Sequence, residues 1–330
     1  QGLLTHALHL AKAAGERHMV FFASGGESAA AQAAGGRYGM ADGILLAGEA
    51  MGLLTALEEG PLEKAETFRS AVAGAEFNVA VGLCRLGHRA AYFTKLGDDP
   101  FGRRIRKAMQ AEGLSVRDVH MSAEHPTGWM FKSKTAAGDP DIFYCRRGSA
   151  ASFIGPEDVA GLDFSGLWAL HLTGIFPALS EHTRDAALFL LTEAKRRGMT
   201  VFFDPNLRPP LWKSPADMRD TLLAFAREAD VVLPGLAEGR FLTGETAPEA
   251  IAEAFLKMGA RAAVVKTGPG GAYAATRSES FFCPAYRVDR IVDTVGAGDG
   301  FAAGVISALG EELPLREAVR RYYERGEGPG

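Results

Sequence analysis

Nine residues near the end of the chain, Asp293-Thr294-Val295-Gly296-Ala297-Gly298-Asp299-Gly300-Phe301, join a tight glycine turn, an acid and the start of an apolar helix. The helical pattern begins at about Gly298 and runs through Phe301, Ala302, Val305, Ile306 and Leu309. The backbone N–H groups of Gly296, Ala297, Gly298 and Asp299 therefore fall at a helix N-terminus, where such groups have no intrahelical partner and attract anions. Glycine lets a phosphoryl group approach the backbone, and Asp299 stands where it could accept a proton from an attacking hydroxyl. That combination is suited to phosphoryl transfer with its own base. A turn that merely caps a helix remains the alternative for Gly-Ala-Gly taken alone.

The full nine residues resemble the C-terminal signature of the ribokinase-like (PfkB-type) carbohydrate kinases, in which the aspartate after Gly-Ala-Gly deprotonates the sugar hydroxyl. Two further segments resemble that family's N-terminal sugar-binding signature: Gly74-Ala75-Glu76-Phe77-Asn78-Val79-Ala80 followed by Arg85-Leu86-Gly87, and Lys95-Leu96-Gly97-Asp98-Asp99-Pro100-Phe101-Gly102. The resemblance implies ATP and Mg²⁺ as cofactors, Asp299 with Gly296, Ala297 and Gly298 as the catalytic turn, and Gly74 and Asn78 as contacts to the hydroxyls of the sugar.

Two arginines point to an acidic sugar. Phe143-Tyr144-Cys145-Arg146-Arg147-Gly148-Ser149-Ala150-Ala151-Ser152 resembles the substrate segment of the 2-keto-3-deoxygluconate kinases within that family, where a tyrosine and the arginine two residues later bind the substrate. Residues i and i+2 of a strand share a face, so Tyr144 and Arg146 have suitable spacing; without the resemblance they fit a packed tyrosine and a solvated arginine equally well. Asp204-Pro205-Asn206-Leu207-Arg208-Pro209-Pro210-Leu211-Trp212 resembles the family stretch in which the asparagine lies near the nucleotide phosphates and the arginine reaches the sugar acid. A planar guanidinium pairs bidentately with a carboxylate, which a neutral sugar does not offer. The implied reaction is ATP-dependent phosphorylation of 2-keto-3-deoxygluconate to its 6-phosphate. A fructokinase or another sugar kinase of the same fold, and a non-catalytic ligand-binding relative, are the alternatives.

Val264-Val265-Lys266-Thr267-Gly268-Pro269-Gly270-Gly271-Ala272-Tyr273 reads as strand, glycine turn and strand, and resembles the family's ATP-binding loop, which implies Asn206, Lys266, Gly268, Gly270 and Gly271 on the nucleotide. By pattern alone it is a hairpin. The chain contains no GxxxxGK[ST], which excludes a P-loop kinase. One departure from the family concerns the metal: Leu233-Pro234-Gly235-Leu236-Ala237-Glu238 has glycine where relatives often carry the asparagine of Asn-x-x-Glu, leaving Glu238 to reach Mg²⁺ through water.

These residues need a scaffold, and the pattern supplies one. Short β runs (Ile44 to Ala47, Ala90 to Thr94, Val201 to Asp204, Val231 to Leu233, Ala262 to Lys266) alternate with helical segments (Phe101 to Glu112, Glu181 to Arg197, Asp217 to Ala229, Pro248 to Met258). Such alternation implies an α/β fold with a mostly parallel sheet covered on both faces and ligands at the carboxyl ends of its strands. The family resemblance makes this a ribokinase-like three-layer α/β/α sandwich. Thr127 to Lys134 and Asp141 to Arg147 alternate apolar and polar residues around Ala137-Gly138-Asp139-Pro140, a predicted antiparallel hairpin. With residues near Leu53 to Leu57 it would form a small β lid, from segments near 52–77 and 125–149.

At 330 residues and 47% hydrophobic the chain can bury a full α/β core, and its net charge of −4 offers no basic face for nucleic acid. No apolar run is long enough for a membrane span. Cys84, Cys145 and Cys283 are too few and too far apart for a disulfide framework or a Cys-x-x-Cys metal site, so the cytoplasm is the expected compartment. The expected partner is a small-molecule sugar acid, and homo-oligomerisation stays open. Residues 1–40, with Ser24-Gly25-Gly26 and Gly35-Gly36, are expected to be a flexible leader outside the kinase domain of 41–330. At the other end Leu315-Arg316-Glu317-Ala318-Val319 begins a helix that runs into Gly326-Glu327-Gly328-Pro329-Gly330, and the expectation is a truncated C-terminus with weak ATP affinity.

Overall fold

A computed structural model describes residues 43–135, 140–285 and 296–324; the expected leader 1–40, the turn residues 137–139, Asp293 to Val295 and the end 325–330 lie outside the described residues. The described chain runs from β1 (Gly43–Ala47) through β2 (Met51–Glu59) and β3 (Phe68–Ala73) to α1 (Ala75–Arg85), β4 (Arg89–Gly97), α2 (Pro100–Ala111) and β5 (Val119–Ser122). A hairpin follows, β6 (Trp129–Lys134) and β7 (Ile142–Cys145), then α3 (Pro156–Val159), β8 (Leu167–Thr173), α4 (Glu181–Arg196), β9 (Thr200–Asp204), α5 (Pro215–Glu228), β10 (Val231–Val232), α6 (Leu236–Thr243), α7 (Pro248–Met258) and β11 (Ala262–Lys266). The described chain closes with β12 (Gly271–Thr276), β13 (Ser280–Pro284), α8 (Ala297–Gly310) and α9 (Leu315–Glu324).

The strands show why there are three layers. Ile44, Leu46, Phe202 and Val264 face one core, whereas Leu45, Ala47, Val201, Phe203, Ala263 and Val265 face another. Successive side chains of a strand point to opposite faces, so a strand apolar at every position is a strand covered on both sides. Helices α1, α2, α8 and α9 cover the first face, and α4, α5, α6 and α7 the second.

The main sheet has the order β13-β12-β11-β10-β9-β8-β1-β4-β5. It is parallel from β11 to β5, and β12 and β13 are antiparallel at one edge. The chain proceeds outward from β1 in one direction through β4 and β5 and in the other through β8 to β11. A crevice at the carboxyl ends of the strands is expected where the order reverses. The second sheet, β3-β2-β6-β7, contains the predicted hairpin, with Met130 opposite Tyr144. It is the small lid sheet.

Each predicted central strand is found, and the predicted helices shift at their ends by a residue or two. Helix α5 starts earlier than predicted because Pro215 occupies its first turn and Ser214 caps it by accepting the Asp217 N–H. Strand β8 was not predicted. Trp168 and His171 interrupt its apolar run, although His171 is fully buried.

Candidate active site

Helices α1 and α8 lie side by side on one face of the sheet. A Cβ on Gly82 of α1 would sit only 2.8 Å from the Ala303 Cβ of α8, so small residues set how closely the two helices approach. Asn78, in α1, consequently meets Asp299, in the first turn of α8: its Nδ2 donates to Asp299 Oδ2 at 2.8 Å. The turn leading into α8 is left-handed at Gly296 (φ 84°), a conformation that favours glycine, and the Gly300 N–H closes the first helical bond onto the Gly296 carbonyl. The amides of Gly298 and Asp299 thus point out of a helix start beside the Asp299 carboxylate.

Burial pushes the Asp299 carboxyl up to about 6; the Asn78 hydrogen bond opposes this, Asp204 adds to it, and Lys266 and Arg208 oppose it. A carboxylate with that value is ionised at neutral pH and still basic enough to take a proton.

The ends of the neighbouring strands supply the surrounding charges. Lys266, the last residue of β11, places Nζ 2.5 Å from Oδ2 of the buried Asp204, the last residue of β9. Oδ1 of Asp204 accepts the Asn206 N–H at 3.2 Å, and Asn206 itself is left-handed (φ 39°). Burial works against the Lys266 ammonium, but Asp204, Glu238 and Asp299 outweigh it and hold its pKa above the ordinary lysine value. Arg208 is half-buried and donates from Nη1 to the Leu207 carbonyl, which leaves further guanidinium donors for a ligand.

Glu238 does not stand free for a metal. Its Oε1 accepts the Leu207 N–H at 2.9 Å and its Oε2 the Gly235 N–H at 2.7 Å, so it joins the β9 loop to the start of α6. Among the described residues no group of three acidic, histidine or cysteine side chains is arranged to hold a metal ion. The donor set therefore does not fit a directly ligated Mg²⁺.

Arg146 lies just beyond β7 and is buried, with its guanidinium turned onto Glu49, which follows β1. Nε reaches Glu49 Oε2 at 2.7 Å and Nη2 reaches the same oxygen at 2.5 Å, while Ser149 Oγ donates to Oε1 at 2.5 Å. The spacing argument put Tyr144 and Arg146 together, and they are neighbours, with the guanidinium 5.6 Å from the ring centroid. That argument missed Glu49. Tyr144 is 37% exposed.

Gly74 (φ 144°) joins β3 to α1, Gly268 and Gly270 lie in the turn between β11 and β12, and Gly271 opens β12. Glu76 is a further buried carboxyl beside this site. Thr173 Oγ1 donates to its Oε1 at 2.5 Å, and burial pushes its pKa up to about 7. It stands two residues before Asn78 in α1, and only the sequence GAEFN hints at it.

Residues 42–321 match the model of the pfkB family carbohydrate kinases. The chain belongs to this family. It is 44% identical over 275 residues to the 2-dehydro-3-deoxygluconokinase of Bacillus subtilis (strain 168), covering 83% of this chain and 85% of the relative. The crystal structure of a PfkB protein from Polaromonas sp. JS666 superposes with a TM-score of 0.79 at 46% identity, over 85% of this chain and 92% of that one. A fructokinase from Vibrio cholerae O395, solved with fructose, ADP and calcium, follows at a TM-score of 0.74 and 27% identity, over 86% and 89%. The pfkB family member described here is a ribokinase-like carbohydrate kinase acting on a small sugar, and among its described residues no helix is long and apolar enough to cross a membrane.

Proposed function

We propose that this kinase transfers the γ-phosphoryl group of ATP to the 6-hydroxyl of 2-keto-3-deoxygluconate (2-dehydro-3-deoxygluconate). The reading rests on the Asn78-held Asp299 carboxylate at the start of α8, with Lys266 and Arg208 close enough to bias its charge. The substrate follows from the 44% identical relative named for that sugar acid.

In this mechanism Asp299 accepts the proton of the attacking hydroxyl, and the Gly296-Ala297-Gly298 turn stabilises charge on the phosphoryl oxygens. Gly74 and Asn78 contact sugar hydroxyls, Tyr144 and Arg208 hold the keto-acid end, and Arg146 adds its remaining donors. Asn206 and the turn of Gly268, Gly270 and Gly271 receive the nucleotide, with Lys266 at its phosphate end. Among the described residues no side chain of this site would ligate Mg²⁺ directly; an ion carried by the ATP phosphates would supply charge neutralisation there. The sheet of β3, β2, β6 and β7 acts as a lid on a single kinase domain of about 41–330, and the reaction belongs to the cytoplasm, where ATP is available.

A neutral-sugar reading draws on one observation. Glu49 already balances the charge of Arg146, which leaves Arg208 as the main cation for a carboxylate. A coupled assay against 2-keto-3-deoxygluconate, gluconate, fructose and ribose distinguishes the two. A kcat/KM for the keto-deoxy acid at least about tenfold above fructose is the expected result, and the reverse order would select the fructokinase reading.

A further inference from the structure

The site contains a partly buried cation that is held by its own carboxylate. Lys266 Nζ bonds to Asp204 Oδ2, and Asp204 is itself fixed through Oδ1 by the Asn206 amide. Strand alternation turns Lys266 to the same face as Val264, the face that α8 covers. A Cβ built on Gly298 would lie 3.6 Å from the Lys266 Nζ. The ammonium therefore stands over the first turn of α8, away from the glycines of the β11–β12 turn. Asn78 approaches the same turn, where its Nδ2 would be 3.6 Å from a Cβ on Gly296.

An ammonium has three donors, and the carboxylate of Asp204 takes one. Glu238 does not engage the others through its oxygens, which bind the amides of Leu207 and Gly235. The Lys266 side chain is 16% exposed, so water screens its charge poorly and the charge acts strongly over short distances. A compact point charge on a flexible stem can hold a carboxylate and reach a phosphoryl oxygen together, which suits lysine at this position.

We propose that Lys266 is a catalytic residue, whose ammonium, held by Asp204, stabilises the phosphoryl group in transit at the turn beginning α8. The inference rests on the kinase reading above and assigns the residue a place in the chemical step. As the sugar oxygen bonds to the γ-phosphorus, the bond from that phosphorus to the β–γ bridging oxygen breaks. Its electron pair leaves with ADP, and the hydroxyl proton goes to Asp299. Lys266 keeps its proton throughout and offsets the negative charge on the equatorial oxygens and the leaving oxygen.

The alternative is a lysine that only neutralises Asp204, and a paired substitution separates the two. Lys266→Met should lower kcat by about 10²–10³-fold, the typical cost of losing one preorganised transition-state donor, while KM for ATP changes far less. Binding of ADP with aluminium fluoride and the sugar acid should weaken at least tenfold more than binding of a non-hydrolysable ATP analogue. The double variant Asp204→Asn/Lys266→Met removes both charges and keeps the acceptor for the Asn206 amide, so it avoids the unpaired buried carboxylate that could unfold the single variant. Under the proposal the double variant stays as slow as Lys266→Met. Recovery to within about tenfold of the wild-type kcat, or equal weakening of the two analogue complexes, would overturn it. A wild-type chain that phosphorylates none of the sugars would instead overturn the kinase reading.

Discussion

The carboxylate of Glu49, two residues beyond the first strand of the main sheet, takes two N–H donors from Arg146 at the base of the lid, and both side chains are buried. Removing one partner of a buried ion pair leaves the other charge uncompensated, which commonly costs about 3–5 kcal/mol. Glu49→Ala should accordingly destabilise the protein by that amount in urea unfolding. A loss below about 1 kcal/mol would show that Arg146 finds another partner or turns to solvent.

Asp299→Asn keeps the shape of the side chain and cannot accept the proton. Turnover should fall by about 10²–10⁴-fold, with binding of an ATP analogue retained. More than a tenth of wild-type turnover would reject Asp299 as the base. The wild-type profile carries a second check: burial lifts this carboxyl to about 6, and a base works only when deprotonated, so kcat/KM should rise as pH climbs through about 6 and then level off. The Asn78 hydrogen bond opposes the lift, so Asn78→Ala should move the inflection to higher pH.

Glu76 supplies a stability test. Burial raises its carboxyl from 4.5 to about 7 in the folded protein, so between these values the native state binds more proton than the unfolded chain. Its contribution to stability is fully present below 4.5 and is lost as pH rises through about 7. Glu76→Gln removes this slope. The melting temperature of the variant minus that of wild type should be larger at pH 8 than at pH 5, and an unchanged difference would place the Glu76 carboxyl in the ordinary range.

Arg208→Ala should weaken the sugar acid far more than fructose, because a lost hydrogen bond to a charged group costs roughly 1.5–3 kcal/mol. The comparison is kcat/KM for the two substrates in one preparation. Equal losses would remove the carboxylate from Arg208.

The parts of this site that could be read in advance are those contained within a short window. Asn78 and Asp299 each belong to a local pattern, and the helix start around Gly296 follows from glycine spacing before an apolar run. Their partners could not be read in the same way. Glu49 with Arg146 and Glu76 with Thr173 are each 97 positions apart, and Asp204 with Lys266 are 62 apart, so only the sheet order brings them together. Strand β8 shows the same limit within one element. A local scan reads His171 as a break, whereas in the sheet burial pushes its pKa down to about 3 and keeps it neutral, so a central strand can hold it.

Gly74 is the single residue between Ala73, the end of a lid strand, and Ala75, the start of the helix that carries Asn78, and a Cβ there would come within 2.6 Å of the Glu49 carbonyl oxygen. A joint of one residue pressed against the core cannot absorb a large rotation without moving what is attached to it. On the kinase reading proposed above, the lid and the support of the base are thus joined through one residue: displacing β3 would be felt by the helix whose Asn78 amide steadies Asp299. On that reading, a water reaching the site with the lid raised would find the carboxylate less firmly held, which would limit wasteful hydrolysis of ATP.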